Sequence, residues 1–206
     1  MTIQLTVEFI AEKLRSAYRA GVISSVDGSD GLQDGLRLKC AAVLIPLAWW
    51  QDEWQFVLTR RTDTVEHHKG QVSFPGGGCE INETSPEETA VREAGEEIGL
   101  EPADIRILGR MNDVITVTHF RITPVVGVMP WPYPVRLESA EVARVFTIPL
   151  LWLANRQNWV EQPYALDGAV KPFPVVTYHR YDDEILWGVS ARVTLNFLGV
   201  LGLFNA

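Results

Sequence analysis

A chain of 206 residues with 47% apolar and 21% charged residues is long enough to bury a real core and has the balance of an ordinary globular protein. Its formal net charge of −8 argues against a nucleic-acid partner, which needs clustered Lys and Arg, but leaves small anionic substrates open, because a bound divalent cation inverts the local field. No stretch approaches the roughly 18 uninterrupted apolar residues of a membrane span. The opening MTIQLTVEFIAEKLRSAYRA also lacks a signal-peptide core, so no membrane partner is expected and the cytoplasm is the expected compartment.

Residues 7–20 place Val7, Ile10, Leu14 and Tyr18 at helical spacing and predict a helix. The stretch SSVDGSDGLQDGLR, rich in Gly, Asp and Ser, predicts a loop over about 24–36. LKCAAVLIPL and EWQFVLTRR read as two strands of a hairpin turning at Gln51 and Asp52. FPGGG reads as a glycine loop leading into a helix over 86–98, with Ser85 as N-cap, Pro86 in the first turn, Glu88 completing a capping box and Gly99 at the C-terminal end. Further strands are expected at IRILGRM, RITPVVGVM, ARVFTI, PVVTYHR and EILWGV. A short helix is expected near Pro149 and a last one over 190–203. The sum is an α+β fold, a sheet covered by helices. Cys40 and Cys79 show neither CxxC nor metal-type spacing and are expected to be two reduced thiols.

The chemistry concentrates in REAGEEIGL, residues 92–100. Glu93, Glu96 and Glu97 stand at i, i+3 and i+4, so they share one helix face and repel one another unless a positive charge lies between them. A hard cation such as Mg²⁺ takes oxygen ligands and fits that need. Three glutamates alone describe a solvated, charged face equally well. What separates the two readings is the glycine run in front, where backbone without Cβ atoms can come close to a ligand.

With that run included, the segment resembles the Nudix family, whose signature is G-x5-E-x7-R-E-U-x-E-E-x-G-U with U a bulky apolar residue. Arg92, Glu93, Glu96, Glu97, Gly99 and Leu100 match its second half, with Ala94 at a U position. Chance gives such a match on the order of once in a few thousand chains of this length. In the first half Gly77 and Glu83 keep the G-x5-E spacing, but one extra residue precedes Arg92, which leaves the role of Glu83 open. The resemblance implies a Nudix-type α/β/α sandwich with a mixed central sheet, a single domain with an N-terminal helix (1–23), a loop (24–36) and a core (37–206). It also implies Mg²⁺ or Mn²⁺ as cofactor and a nucleoside diphosphate compound as small-molecule substrate. By the same resemblance Glu93, Glu97, Glu96 and the Gly77 carbonyl are the expected metal ligands. Glu96 is the alternative water-activating group, Arg92 orients the glutamates, and Glu141 is an assisting carboxylate from outside the helix.

The segment VLTRRTDTVEHHKGQVSFPGG is similar to the extra motif of the coenzyme A pyrophosphatase branch, roughly LLTxR[S/A]xxxRxxxGxVxFPGG. This similarity implies substrate-binding roles for Arg61, Gly70 and Phe74. Glu66 stands where the branch has an arginine, a residue suited to paired hydrogen bonds with phosphate. His68, with His67 and Lys69, is the substitute source of positive charge, although a plain surface loop explains the histidines as well. Three functions therefore stay open: a coenzyme A or acyl-coenzyme A pyrophosphatase, a hydrolase of ADP-ribose or a dinucleotide polyphosphate, and a non-catalytic binding module. Val193, Phe197, Val200, Leu201 and Phe204 give the last helix an apolar face that either covers the core or forms a homodimer contact.

Overall fold

The computed structural model describes residues 5–19, 21–25, 38–63, 69–164 and 173–203. Helix α1 (Val7–Ala17) and strand β1 (Ile23–Ser25) precede the spine of the fold, β2 (Lys39–Trp50) and β3 (Glu53–Arg61). These two strands form the expected hairpin, with Leu47 opposite Phe56 and Trp50 opposite Glu53. Gln51 and Asp52 turn the chain at φ of 53° and 63°, the left-handed pair of a type I′ turn, whose twist matches that of the strands. Side chains alternate across β2: Ala42, Leu44 and Ala48 enter one apolar cluster, Ile45 and Leu47 the other. A strand buried on both faces reads as one continuous apolar run, as this one does.

The remaining elements are β4 (Val72–Ser73), β5 (Gly76–Gly78), α2 (Pro86–Ile98), β6 (Arg106–Arg110), β7 (Asp113–Ile115), β8 (Phe120–Val128), β9 (Val142–Pro149), α3 (Leu150–Ala154), β10 (Trp159–Tyr164), β11 (Phe173–Tyr178) and α4 (Gly188–Leu201). Strand β8 runs parallel to β2 and β1 parallel to β7, whereas β3, β5, β6 and β9 pair antiparallel, so the central sheet is mixed. Among the described residues β10 and β11 form a separate ribbon. Helix α2 buries Ala90, Ala94 and Ile98 on one face of the sheet; α1 and α4 bury Ile10, Leu14, Val193, Phe197 and Leu201 on the other. The architecture is the expected α+β sandwich of helix, mixed sheet and helix. Those buried residues on α1 and α4 cover the core. Among the described residues no helix is long and apolar enough to cross a membrane.

The departures from the sequence reading have local causes. Helix α1 stops at Ala17 rather than at residue 20, because beyond Tyr18 the Arg19 amide donates to Asn112 Oδ1 at 2.9 Å instead of continuing the helical ladder. The stretch EILWGV makes only isolated bridges, Tyr181 with Glu184 and Thr177 with Trp187, before Gly188 enters α4. The expected glycine loop is instead a strand: Gly76–Gly78 pairs with Val43–Ala41 of β2. Glycine permits this approach, since a Cβ on Gly76 would lie 2.5 Å from the Ala42 carbonyl oxygen. Beyond Ser25, the predicted 24–36 loop lies outside the described residues.

The cysteine expectation is also corrected. Cys40 and Cys79 are joined by a disulfide, their Cα atoms 5.4 Å apart. The cause is the non-local pairing of β2 with β5, extended by the Cys79 amide donating to the Cys40 carbonyl at 3.1 Å. The bridge spans 39 residues of sequence. Breaking it, by Cys40→Ser with Cys79→Ser or by a reductant, should lower the unfolding free energy by about 3–4 kcal/mol through the freed chain entropy. Urea unfolding at pH 7 reads this directly. Equal midpoints for oxidised and reduced protein would mean that the thiols do not pair in solution.

Candidate active site

Helix α2 starts where its sequence dictates. The Ser85 hydroxyl accepts from the Glu88 amide at 3.3 Å, Pro86 occupies the first turn, and Gly99 ends the helix at φ 70°. The capping box differs by one residue from expectation. Glu88 accepts from the amide and hydroxyl of Thr84, both at 2.7 Å, rather than from the Ser85 amide. Arg110 of β6 grips Glu87 through two hydrogen bonds of 2.9 and 2.8 Å and pins the first turn to the sheet. Small Ala90 and Ala94 are fully buried and let the helix lie close on β2 and β5.

That closeness sets the geometry of the carboxylates. A Cβ on Gly77 would fall 2.4 Å from Glu93 Oε1, so Glu93 occupies the space that only glycine leaves free. Glu97, one turn on, is 5% exposed and accepts from the Gly76 amide. Arg92 ties the group together. Its Nε donates to Glu83 at 2.7 Å, Nη1 to Glu96 at 2.9 Å, and Nη2 to both Glu93 and the Gly78 carbonyl at 2.9 Å. Glu83 in turn accepts from the Thr89 hydroxyl at 2.6 Å and the Glu80 amide at 2.7 Å. The extra loop residue is thus absorbed before the helix, and Glu83 anchors Arg92. Sequence spacing alone did not reveal this role, and the signal for it was the retained G-x5-E interval.

A second cation approaches from β3. Arg61 Nη1 lies 3.8 Å from Glu97, and Nη2 lies 3.6 Å from Glu141. The Glu138–Val142 segment is held on both sides, by the Glu138 amide donating to the Glu97 carbonyl at 3.0 Å and the Thr62 amide to the Glu141 carbonyl at 2.8 Å. Glu141 is thereby placed at the mouth of the site, near enough to raise the carboxyl groups of Glu93 and Glu97 electrostatically.

The charges are strongly perturbed. Burial pushes Glu97 up to about 8, helped by Glu93 and Glu141 and opposed by Arg61. Burial also raises Glu93, against the pull of Arg92. For Glu83, burial works upward but the hydrogen bonds from Arg92, Thr89 and the Glu80 amide prevail and hold it at about 2. The bond to Glu83 raises Arg92 further above its ordinary value.

Among the described residues no three His, Cys, Asp or Glu side chains stand close enough to hold a metal ion. Glu93 is turned onto Arg92, and Glu97 onto the Gly76 amide and Arg61. The donor set still suits a hard divalent cation. It is all oxygen, it is packed against glycine backbone, and Glu97 Oε2 is buried without a hydrogen-bond partner among the described residues.

The structure therefore gathers Arg92, Glu93, Glu97, Glu141, Arg61 and Gly77 in one place. Glu96 lies at the edge, its side chain 59% exposed. Phe74 does not line the site: it is buried in the opposite core, edge-on to Phe56 at 5.2 Å, which corrects the expectation that it contacts substrate. Gly70 adopts a left-handed φ of 63° and faces Asp63 and Arg60. His68, with Glu66 and His67, lies outside the described residues.

A mixed sheet carrying carboxylates on a helix beside glycine backbone has counterparts among known proteins. The NUDIX domain model matches residues 40–164. An uncharacterized Nudix hydrolase NudL of Escherichia coli O6:H1 is 38% identical over 161 residues, covering 78% of this chain and 82% of the relative. A protein of the same name from Yersinia enterocolitica is 34% identical over 156 residues, covering 74% of this chain and 76% of its own. A solved Nudix hydrolase of M. smegmatis, RenU, superposes with a TM-score of 0.49 at 22% identity, covering 59% of this chain and 83% of that one. The chain belongs to the Nudix family. It is a pyrophosphohydrolase of nucleoside diphosphate derivatives.

The raised Glu97 carboxyl makes stability depend on pH in a defined direction. Between its ordinary 4.5 and about 8 the folded state holds the proton that the unfolded state releases, so the Glu97 contribution is complete below 4.5 and is lost as pH rises to 8. In EDTA, urea unfolding from pH 5 to pH 8 should show the wild type losing stability relative to Glu97→Gln. Parallel curves for the two proteins would contradict a protonated, buried carboxyl.

Proposed function

We propose that this chain is a Mg²⁺- or Mn²⁺-dependent enzyme that cleaves the diphosphate linkage of coenzyme A or its acyl derivatives, releasing a 3′,5′-nucleotide and a phosphopantetheine. The observation that carries the metal-dependent reading is the packing of Glu93 against Gly77 and the hold of the Gly76 amide on Glu97, with one Glu97 oxygen buried and unpartnered among the described residues. Glu93 and Glu97 hold the cation, with Glu96 and the Gly77 carbonyl as further donors. When bound, the ion neutralises charge on the diphosphate oxygens and makes water more acidic. Arg92 keeps Glu93 and Glu96 in place, its own position fixed by Glu83. Glu141, half-exposed beside Arg61, or Glu96 takes a proton from attacking water, and the position of Glu141 at the mouth of the site supports its assisting role. We assign substrate-binding roles to Arg61, Gly70 and His68. We assign the whole chain to a single Nudix unit working in the cytoplasm.

Leu58, Thr59, Arg61, Gly70, Val72 and the FPGG run support coenzyme A as substrate. Glu66 favours a second reading, hydrolysis of ADP-ribose or a dinucleotide polyphosphate, because a carboxylate there repels the phosphate that an arginine would bind. A substrate panel with Mg²⁺ and Mn²⁺ separates the two. Coenzyme A should yield phosphopantetheine, and Glu97→Gln should cut kcat/KM by about 100-fold or more. A clear preference for ADP-ribose would replace coenzyme A, and full activity of Glu97→Gln would remove the metal-dependent reading.

A further inference from the structure

The two arginines of the site are held very differently. Arg92 makes four hydrogen bonds of 2.7–2.9 Å and is locked. Arg61 stands 3.6 and 3.8 Å from its two carboxylates, beyond hydrogen-bond length, and its Nε is buried without a partner among the described residues. Its placement is specific. Strand alternation sends Arg60 to Asp63 and Glu184, away from α2, and Arg61 toward α2. The register of β3 against β9 shifts between Arg60 and Arg61, an irregularity of the kind that re-aims a side chain. The groups facing Arg61 are Glu97 of α2 and Glu141 of the segment before β9.

We infer that Arg61 is the resident counter-cation of the metal site: it balances Glu141 and the ionised form of Glu97 before a divalent ion is loaded, and yields Glu97 on loading so that its guanidinium turns to the substrate diphosphate. This rests on the metal-dependent reading given above. Arg61 and a divalent ion both draw on Glu97 and repel each other, so each weakens the hold of the other. A guanidinium carries five donors in a planar fork. With its ion pairs already longer than hydrogen bonds, Arg61 gives up little by leaving them, and two parallel bonds to a phosphate satisfy the fork better. Arg61 is in this sense a positioning residue that becomes a substrate contact only in the loaded enzyme.

The test is the Mn²⁺ affinity of Arg61→Met in the absence of substrate, by calorimetry at pH 8.5 with the wild type alongside. The variant should bind Mn²⁺ about tenfold more tightly, while its KM for the diphosphate substrate rises. Unchanged or weaker Mn²⁺ binding by the variant overturns the inference. A Mg²⁺ titration of the wild type, followed at the Arg61 Nε–Hε resonance, tests the same claim without relying on the variant to fold. A signal that moves on loading supports release of Arg61, and a stationary one overturns it. Wild type that binds neither ion removes the metal-dependent reading itself, an outcome distinct from equal binding by both proteins.

Discussion

The space left by one missing side chain controls the site. Glu93 Oε1 lies 2.4 Å from where a Cβ on Gly77 would stand. That approach needs α2 flat on the sheet, and the fully buried Ala90 and Ala94 allow it. It needs β5 beside β2, and the glycines of Gly76–Gly78 pair there, tied at their end by the Cys40–Cys79 bridge. It also needs the helix fixed along its length, which the Ser85 cap, the Arg110–Glu87 pair and the Gly99 stop provide.

Close packing of carboxylates creates an electrostatic problem that the rest of the site answers. Two like charges 4 Å apart cost about 4 kcal/mol at an effective dielectric of 20. Glu93, Glu97 and Glu141 influence one another, and Glu97 is nearly inaccessible to water. The protein offsets this in layers. Glu83 holds Arg92 in a charge-assisted bond, Arg92 holds Glu93 and Glu96, and Arg61 stands between Glu97 and Glu141. Glu97 itself keeps a proton up to about pH 8. A site so arranged favours a divalent cation, since that ion answers several unmet charges at once.

Much of this was legible in the sequence where the signal is local. The β2–β3 hairpin followed from two apolar runs around Gln51 and Asp52, and the extent of α2 from Ser85, Pro86 and Gly99. The glutamates shared one face because helical spacing requires it. What sequence could not show depends on distant pairing. The disulfide arises because β5 comes back beside β2 from 39 residues away, which cysteine spacing cannot reveal. Phe74 matched a substrate-side motif, yet the segment between β4 and β5 buries it in the core beside Phe56. The anchoring role of Glu83 was hidden by an inserted residue that the loop before the helix absorbs.

The central claim is that the oxygens of Glu93 and Glu97 grip a cation beside Gly77. A crystal soaked in Mn²⁺ and measured at the manganese absorption edge tests it most directly. An anomalous peak bonded to the Glu93 and Glu97 carboxylates is expected, with Arg61 drawn back from Glu97. A peak elsewhere, or none at manganese concentrations that support turnover, would contradict it.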